Sequence, residues 1–355
     1  PTRGQINGEG TGDMGCLNVF YPGFKRVSEG TAKTFEEAWG VEDLPTKPGF
    51  PYTVMLQKVR FLYVVGTNPM MAAPDVNSVR KALQNLDFLV VQDIFPTETA
   101  QLAHVVLPAA TWVEREGTHA WVDRRVQKIN QVIEPPGEAR PDWWVVCQLA
   151  QRMGMGYKDK FGFSSAREIF EEIRRCVPQY AGITYERLSQ TTGGIQWPCP
   201  SEDHPGTPTM FVQKFNTPDG LGHFQVVDYK PPAELPDEEY PYVLTTGRSI
   251  FHYHTGSMTR RTRKLNDEVP QGFVQINPAD AAEVGARSGD TITLETRRGR
   301  IEAQARVSTQ VPPGLLFVPF HFAESCANVL TNPALDPACK MPEYKVCAVK
   351  MEAKQ

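Results

Sequence analysis

Paired cysteines are missing from this sequence. Its seven cysteines stand at 16, 147, 176, 199, 326, 339 and 347, an odd number with no C-x-x-C spacing. That pattern disfavours a disulfide framework and a self-contained zinc or iron–sulfur site. Free thiols in a reducing compartment, the cytoplasm, are the simpler reading. Long apolar runs are missing too, since none approaches the roughly 18 residues of a membrane-spanning helix. There is no basic excess. The formal charge is −4, which argues against a general nucleic-acid binder, because affinity for a phosphate backbone comes from surplus Lys and Arg. Residue 1 is Pro, with no initiator Met and no signal-peptide pattern, so the chain is expected to begin within something longer or after processing. What is present is 355 residues, 41% of them hydrophobic, enough for two or more domains with substantial cores.

Residues 1–24 are glycine-rich with little periodicity, and 1–57 is expected to be an extended loop region. From 58 the pattern alternates. Residues 59–65 read as a strand running into Gly66-Thr67-Asn68-Pro69, 76–86 have helical spacing, and 88–91 read as a strand closed by Gln92-Asp93. A short helix over 97–103 and a strand over 105–107 follow. Such alternation predicts an α/β portion, 58–229, built on a doubly wound parallel sheet. Ligands of such sheets sit at the carboxyl ends of the strands. Asn68 and Asp93 occupy those ends, and a carboxylate there can accept two hydrogen bonds from the edge of guanine. An Asp at a strand end is more often a turn former or helix cap. Residues 142–153, 165–176 and 183–190 read as helices, and Cys199 as a small packed residue. The Pro- and acid-rich stretch 230–240 reads as a linker, and beyond it 241–355 reads as a compact β-domain.

The most informative stretch is 243–262, VLTTGRSIFHYHTGSMTRRT. A β-prone run through Thr246 ends at Gly247, where the backbone can turn sharply. Arg248, His252, Tyr253, His254, Thr255 and Ser257 follow, with Arg260, Arg261 and Arg263 behind them. A strand end opening into donors is what an anionic, phosphate-bearing ligand needs. Taken alone, such a stretch is more often a solvated polar loop.

TTGRSIFHYHTGSMTRR resembles the pterin-dinucleotide-binding signature of the molybdopterin oxidoreductases, the family of formate dehydrogenases and periplasmic nitrate reductases. RGQ at 3–5, DMG at 13–15, YPG at 21–23, VVGTNPM, VVQDIFPTETAQLAHVVLPAATWVEREG, GIQWPC and PEYKVCAVK resemble further blocks in register. Ile6, Glu9 and Trp121 depart from the family pattern. The resemblance implies the C-terminal half of a formate dehydrogenase alpha subunit, with a double-psi β-barrel over 241–355. It implies dinucleotide contacts at Gln5, Gly66, Asn68, Gln92, Asp93, Thr97, Arg115, Asp142, Thr246, Gly247, Arg248, His252, Tyr253, His254, Thr255, Phe320, Asn328, Tyr344 and Lys345. Arg3 would grip the formate carboxylate through paired charge-assisted hydrogen bonds. Two molybdopterin guanine dinucleotides would be shared with a missing N-terminal half that carries the Mo or W ligand and a [4Fe–4S] cluster. Further subunits with iron–sulfur or flavin groups would take the electrons. The implied reaction is formate to CO2 or its reverse, by a chain inactive on its own. The corresponding half of a nitrate reductase-like oxotransferase, or a non-catalytic pterin-binding subunit, are the alternatives.

Overall fold

The computed structural model describes residues 6–154 and 157–354. Contacts divide the chain into two compact units, Pro1–Phe50 with Pro108–Val227 and Pro51–Leu107 with Asp228–Gln355. The stretch 58–229 expected as one α/β portion is thus divided between them, with 58–107 joining the barrel residues.

The first sheet has three strands in sequential order, β1 (Phe61–Val65), β2 (Phe88–Asp93) and β3 (Val105–Pro108). β1 and β2 are parallel, with Phe61 opposite Phe88 and Val65 opposite Gln92. Leu89, Val90, Val91 and Gln92 are buried in succession, the signature of a strand covered on both faces. Between these strands the helix Val76–Gln84 turns Val76, Val79 and Leu83 onto Leu62, Val64, Leu89 and Val91. Each such side chain contributes roughly 1.5–3 kcal/mol of burial. Asp75 caps that helix, its carboxylate accepting from the Ser78 hydroxyl at 2.6 Å. The helix expected over 97–103 shrinks to a 3-10 turn, Ala100–Leu102: the Thr97 hydroxyl takes the Ala100 amide locally, and the Thr99 hydroxyl is tied to the Met70 amide and the Asn68 side chain.

The other unit holds an antiparallel sheet of β4 (Gly117–Ala120), β5 (Arg125–Ile129) and β6 (Ile195–Gln196). Its core joins Ala120, Val126 and Ile195 to Phe170, Ile183, Tyr185 and Leu188 from the helices Ala166–Cys176 and Tyr185–Gln190 and the segment before the latter. Cys199 is fully buried here, in keeping with a packed thiol. Residues 6–57 are not the extended loop expected. They carry the helices Gly8–Asp13 and Glu29–Trp39, the second capped by Ser28 and ended by Gly40 at φ 61°. Phe35 of that helix stacks on Tyr21 at 5.1 Å, burying an apolar face that the glycine-rich composition obscured.

The last element is a closed barrel of six strands. They are β7 (Tyr242–Gly247), β8 (Phe273–Ile276), β9 (Thr291–Thr296), β10 (Gly299–Val307), β11 (Leu315–Pro319) and β12 (Cys347–Ala353). The order around the barrel is β8-β10-β9-β12-β7-β11, with β8/β10 and β7/β11 parallel and the other pairs antiparallel. Alternate residues point inward, and Leu244, Val274, Ile276, Ile292, Leu294, Leu316, Val318 and Val349 are fully buried. Glu234 ties the Pro-rich stretch ahead of β7 to this barrel, accepting from Arg298 and from the Ala348 amide.

Candidate cofactor-binding site

β7 ends where a side chain would not fit. A Cβ on Gly247 would stand 2.3 Å from the Phe317 ring on β11. The chain leaves the barrel there as the loop 248–258. The Thr246 hydroxyl donates to the Tyr344 carbonyl at 2.8 Å, and the Lys345 ammonium donates to the Thr246 carbonyl at 2.6 Å. Tyr344 in turn donates its phenol to the Ala72 carbonyl, and Asn328 its amide to the Met71 carbonyl. These bonds pin the approach to β12 and the segment after β11 to the turn that follows β1.

They enclose a cavity of about 210 Å³ lined by Thr246, His254, Thr255, Phe320, Asn328, Tyr344 and Lys345, together with Ala72. Seven residues expected from the resemblance are therefore brought together. Arg248 stands at its rim, its guanidinium 3.2 Å from Nε2 of His254. Burial, and then the Arg248 charge, hold His254 below the ordinary histidine range and Lys345 below the ordinary lysine range. Burial pushes Tyr344 up to about 12. Among the described residues no carboxylate pairs with Arg248 or Lys345. The two cations repel each other, and none of the described residues lining the cavity is a carboxylate.

The other expected residues fall elsewhere. Gly66, at φ 61°, ends β1 and donates its amide to the Gln92 carbonyl. Asn68 is buried, donating to Glu98 at 2.6 Å and accepting from the Thr99 hydroxyl at 2.7 Å. Gln92 is fully buried and accepts from the Tyr63 phenol. Asp93 accepts from the Phe95 amide in a tight turn, and Thr97 from the Ala100 amide. These five form a second group at the carboxyl ends of β1 and β2. The Arg261 guanidinium lies 4.4 Å over the Phe95 ring and so ties this group to the basic loop. Arg115 and Asp142 belong to the other unit. Nε of Arg115 is buried with no hydrogen-bond partner among the described residues, and Asp142 is the first residue of the helix Asp142–Met153. Arg3 and Gln5 lie outside the described residues.

Two histidines change places between expectation and structure. His252 is spent internally, with Nε2 donating to the Val269 carbonyl at 2.8 Å and Nδ1 beside the Thr259 hydroxyl at 3.2 Å. Tyr253 is likewise outside the cavity, its amide donating to Thr259. His321 was not expected. It is fully buried, accepts the Ser249 amide at Nε2 (2.8 Å) and donates from Nδ1 to the His254 carbonyl. Burial foremost, with nearby positive charge, drives its pKa down to about 4. The neutral ring therefore holds both ends of the loop that carries Arg248 and His254. Its sequence signal was no more than adjacency to Phe320.

The donor set suits a phosphate-bearing ligand: an ammonium, a guanidinium and hydroxyls surround a space with no carboxylate among its described lining residues. The cavity volume suits one ring system of a dinucleotide rather than the whole.

Family comparisons agree. Residues 9–152 match the model described as "Molybdopterin oxidoreductase", and 242–348 the "Molydopterin dinucleotide binding domain". The chain carries molybdopterin oxidoreductase and molybdopterin dinucleotide-binding domains. It is 50% identical over 356 residues to the F420-dependent formate dehydrogenase subunit alpha of Methanocaldococcus jannaschii, covering 99% of this chain and 52% of that protein. The assimilatory nitrate reductase catalytic subunit of Bacillus subtilis is 38% identical over 363 residues, covering 98% of this chain and 51% of that one. The chain thus spans about half the length of these relatives. The fold matches that of acetylene hydratase from Pelobacter acetylenicus with a TM-score of 0.63 at 20% identity, over 92% of this chain and 50% of that one. The chain is a mixed α/β structure with a parallel sheet and a six-stranded closed barrel.

Proposed function

We propose that this chain is the C-terminal half of a molybdenum- or tungsten-dependent formate dehydrogenase and supplies part of the cage for two molybdopterin guanine dinucleotides. The observation that carries the reading is the cavity at the end of β7, where Arg248 and Lys345 converge without a carboxylate partner among the described residues. Lys345, Arg248 and Thr255 would hold phosphate oxygens, and Asp93 would read the guanine edge; Arg115, in the other unit, is the contact that the family resemblance implies there. His254, kept neutral by burial and by Arg248, can accept or donate there without adding a third full charge. The bound metal–pterin group would supply the two-electron chemistry of formate ⇌ CO2 + H+ + 2 e−. Arg3 would orient the formate carboxylate so that its C–H bond faces the metal. The Mo or W ligand and the [4Fe–4S] cluster would lie on the complementary half, and electrons would leave through iron–sulfur or flavin subunits in the cytoplasm. The two parallel pairs of the barrel support a double-psi topology. The short β1–β3 sheet, with Phe61, Val65, Phe88, Val105 and Val106 exposed, is read as part of a doubly wound sheet completed by that half.

The 50% likeness to a formate dehydrogenase supports formate as the first reading, and the 38% likeness to a nitrate reductase supports the second. In the assembled complex, Arg248→Ala and Lys345→Ala should each lower the GMP released by acid treatment. Loss of one charge-assisted contact costs roughly 1.5–3 kcal/mol, about ten- to a hundredfold in affinity. Unchanged release from both variants would sink the cage. Turnover with nitrate and none with formate would favour the second reading, and full GMP content with neither activity a non-catalytic subunit.

A further inference from the structure

Residues 211–229, FVQKFNTPDGLGHFQVVDY, turn back on themselves, with Phe211 stacked on Phe215 and His223 beside Asp219, and end in a run of bare apolar side chains. Two β-prone arms flank Thr217-Pro218-Asp219-Gly220, a turn sequence in which Pro presets φ and Gly supplies a positive one. The turn is built. The Phe215 amide donates to the Gly220 carbonyl at 2.9 Å, Asp219 accepts from the Leu221 amide at 3.0 Å, and Gly220 sits at φ 76°. Beyond the turn the ladder stops. No backbone N–H or C=O of residues 222–232 makes a hydrogen bond among the described residues.

The side chains are equally bare. Phe224, Val226, Val227 and Tyr229 are each at least 85% exposed. In an extended strand Phe224 and Val226 share one face, while Val227 and Tyr229 share the other. Asp228 shares the first face and His223 and Gln225 the second, so each face carries a bare apolar pair beside polar residues, and both pairs call for cover. Its unused amides and carbonyls are a template for another strand.

We infer that residues 222–229 add as a strand to a sheet edge of the polypeptide that completes this enzyme, which rests on the proposed half-chain reading. The relatives are about twice as long as this chain, so a body of comparable size remains to face it. A second copy fits less well. Pairing the segment with itself gives a ribbon whose two faces stay in water, and two-stranded ribbons are marginal there. A larger partner supplies both an edge and cover, with backbone hydrogen bonds giving affinity and pockets for alternate side chains giving register.

Hydrogen exchange on two samples tests this. One is the chain alone; the other is the chain with the portion of the Methanocaldococcus jannaschii subunit that it does not cover, supplied as a second polypeptide. Amides 222–229 should exchange freely in the first and slow on the order of 100-fold in the second. Gln225→Pro and Val226→Pro each delete one N–H, and these point to opposite sides of a strand. One of the two should weaken association at least about tenfold, while neither changes unfolding of the chain alone, where these amides bond nothing. Three results overturn the inference: association without protection of 222–229, no association, or protection that rises with concentration in the chain alone as dimers form. If GMP is still retained as proposed while 222–229 stay unprotected, the cage stands and only this strand assignment falls.

Discussion

At the scale of single residues, the loop after β7 is held by two histidines doing opposite things. His252 donates from Nε2 and accepts at Nδ1, whereas His321 accepts at Nε2 and donates from Nδ1. Protonating His321 would set an N–H against the Ser249 N–H, and its site is already buried beside positive groups. In the native chain it stays neutral down to about pH 4, while an unfolded histidine takes its proton near 6.5. Between those values the unfolded state binds more protons, so stability falls as pH falls from 6.5 toward 4 and levels off below. His321→Gln keeps an acceptor for Ser249 without the titration. The stability difference between wild type and His321→Gln should therefore shrink from pH 7 to pH 5, by at most about 2 kcal/mol. Denaturant titrations at the two pH values measure it, and a pH-independent difference would show that the ring is not held neutral. The sequence could not display this residue. His321 works through backbone groups of 249 and 254, some seventy positions away in the chain, whereas the HYH run at 252–254 advertised His252, whose two nitrogens are spent on Val269 and Thr259.

At the scale of elements, legibility followed how local the determining forces are. β1, β2 and the helix Val76–Gln84 were visible as periodic apolar runs between turn residues, β7 as the β-prone run that ends at Gly247, and the rest of the barrel only as a compact β-domain. β12 was missed because its pairing with β9 and β7 is wholly non-local, and Cys347–Ala353 carries two lysine and glutamate interruptions. The helix Glu29–Trp39 was missed because the glycine-rich run ahead of it dominated the local composition. The end of β7 was read correctly as a turn, but for a different reason. Gly247 is needed for proximity, since a Cβ there would meet the Phe317 ring. Gly247→Ala should therefore cost roughly 1–3 kcal/mol by overpacking. In the Phe317→Ala background the same change should cost little, because the obstructing ring is gone. Equal costs in both backgrounds, measured by denaturant unfolding, would mean that the glycine serves the backbone and not the contact.

At the scale of the whole molecule, the proposed half-chain reading gives the cavity-facing residues and the bare surfaces one cause. On that reading, a chain that spans about half of its relatives' length keeps the side chains that would face the rest. The β1–β3 sheet leaves Phe61, Val65, Phe88, Val105 and Val106 exposed, a concentration of apolar surface that isolated proteins seldom tolerate. Its cysteines are all free, with only Cys16 and Cys339 exposed, and burial pushes the thiols of Cys147, Cys326 and Cys347 up, away from the thiolate form that ligates iron. Among the described residues no cluster of three or more His, Cys, Asp or Glu could hold a metal ion. The chain alone should therefore contain no acid-labile sulfide, reduce no dye with formate, and bind a hydrophobic fluorophore such as ANS strongly. Adding the complementary polypeptide should quench that fluorescence as the apolar sheet face is covered, and cluster and turnover should appear only in the assembled sample. Stoichiometric sulfide or formate turnover in the chain alone would place the redox machinery here and refute the division of labour. Unchanged fluorescence on assembly would mean that the exposed sheet face meets something other than the missing half.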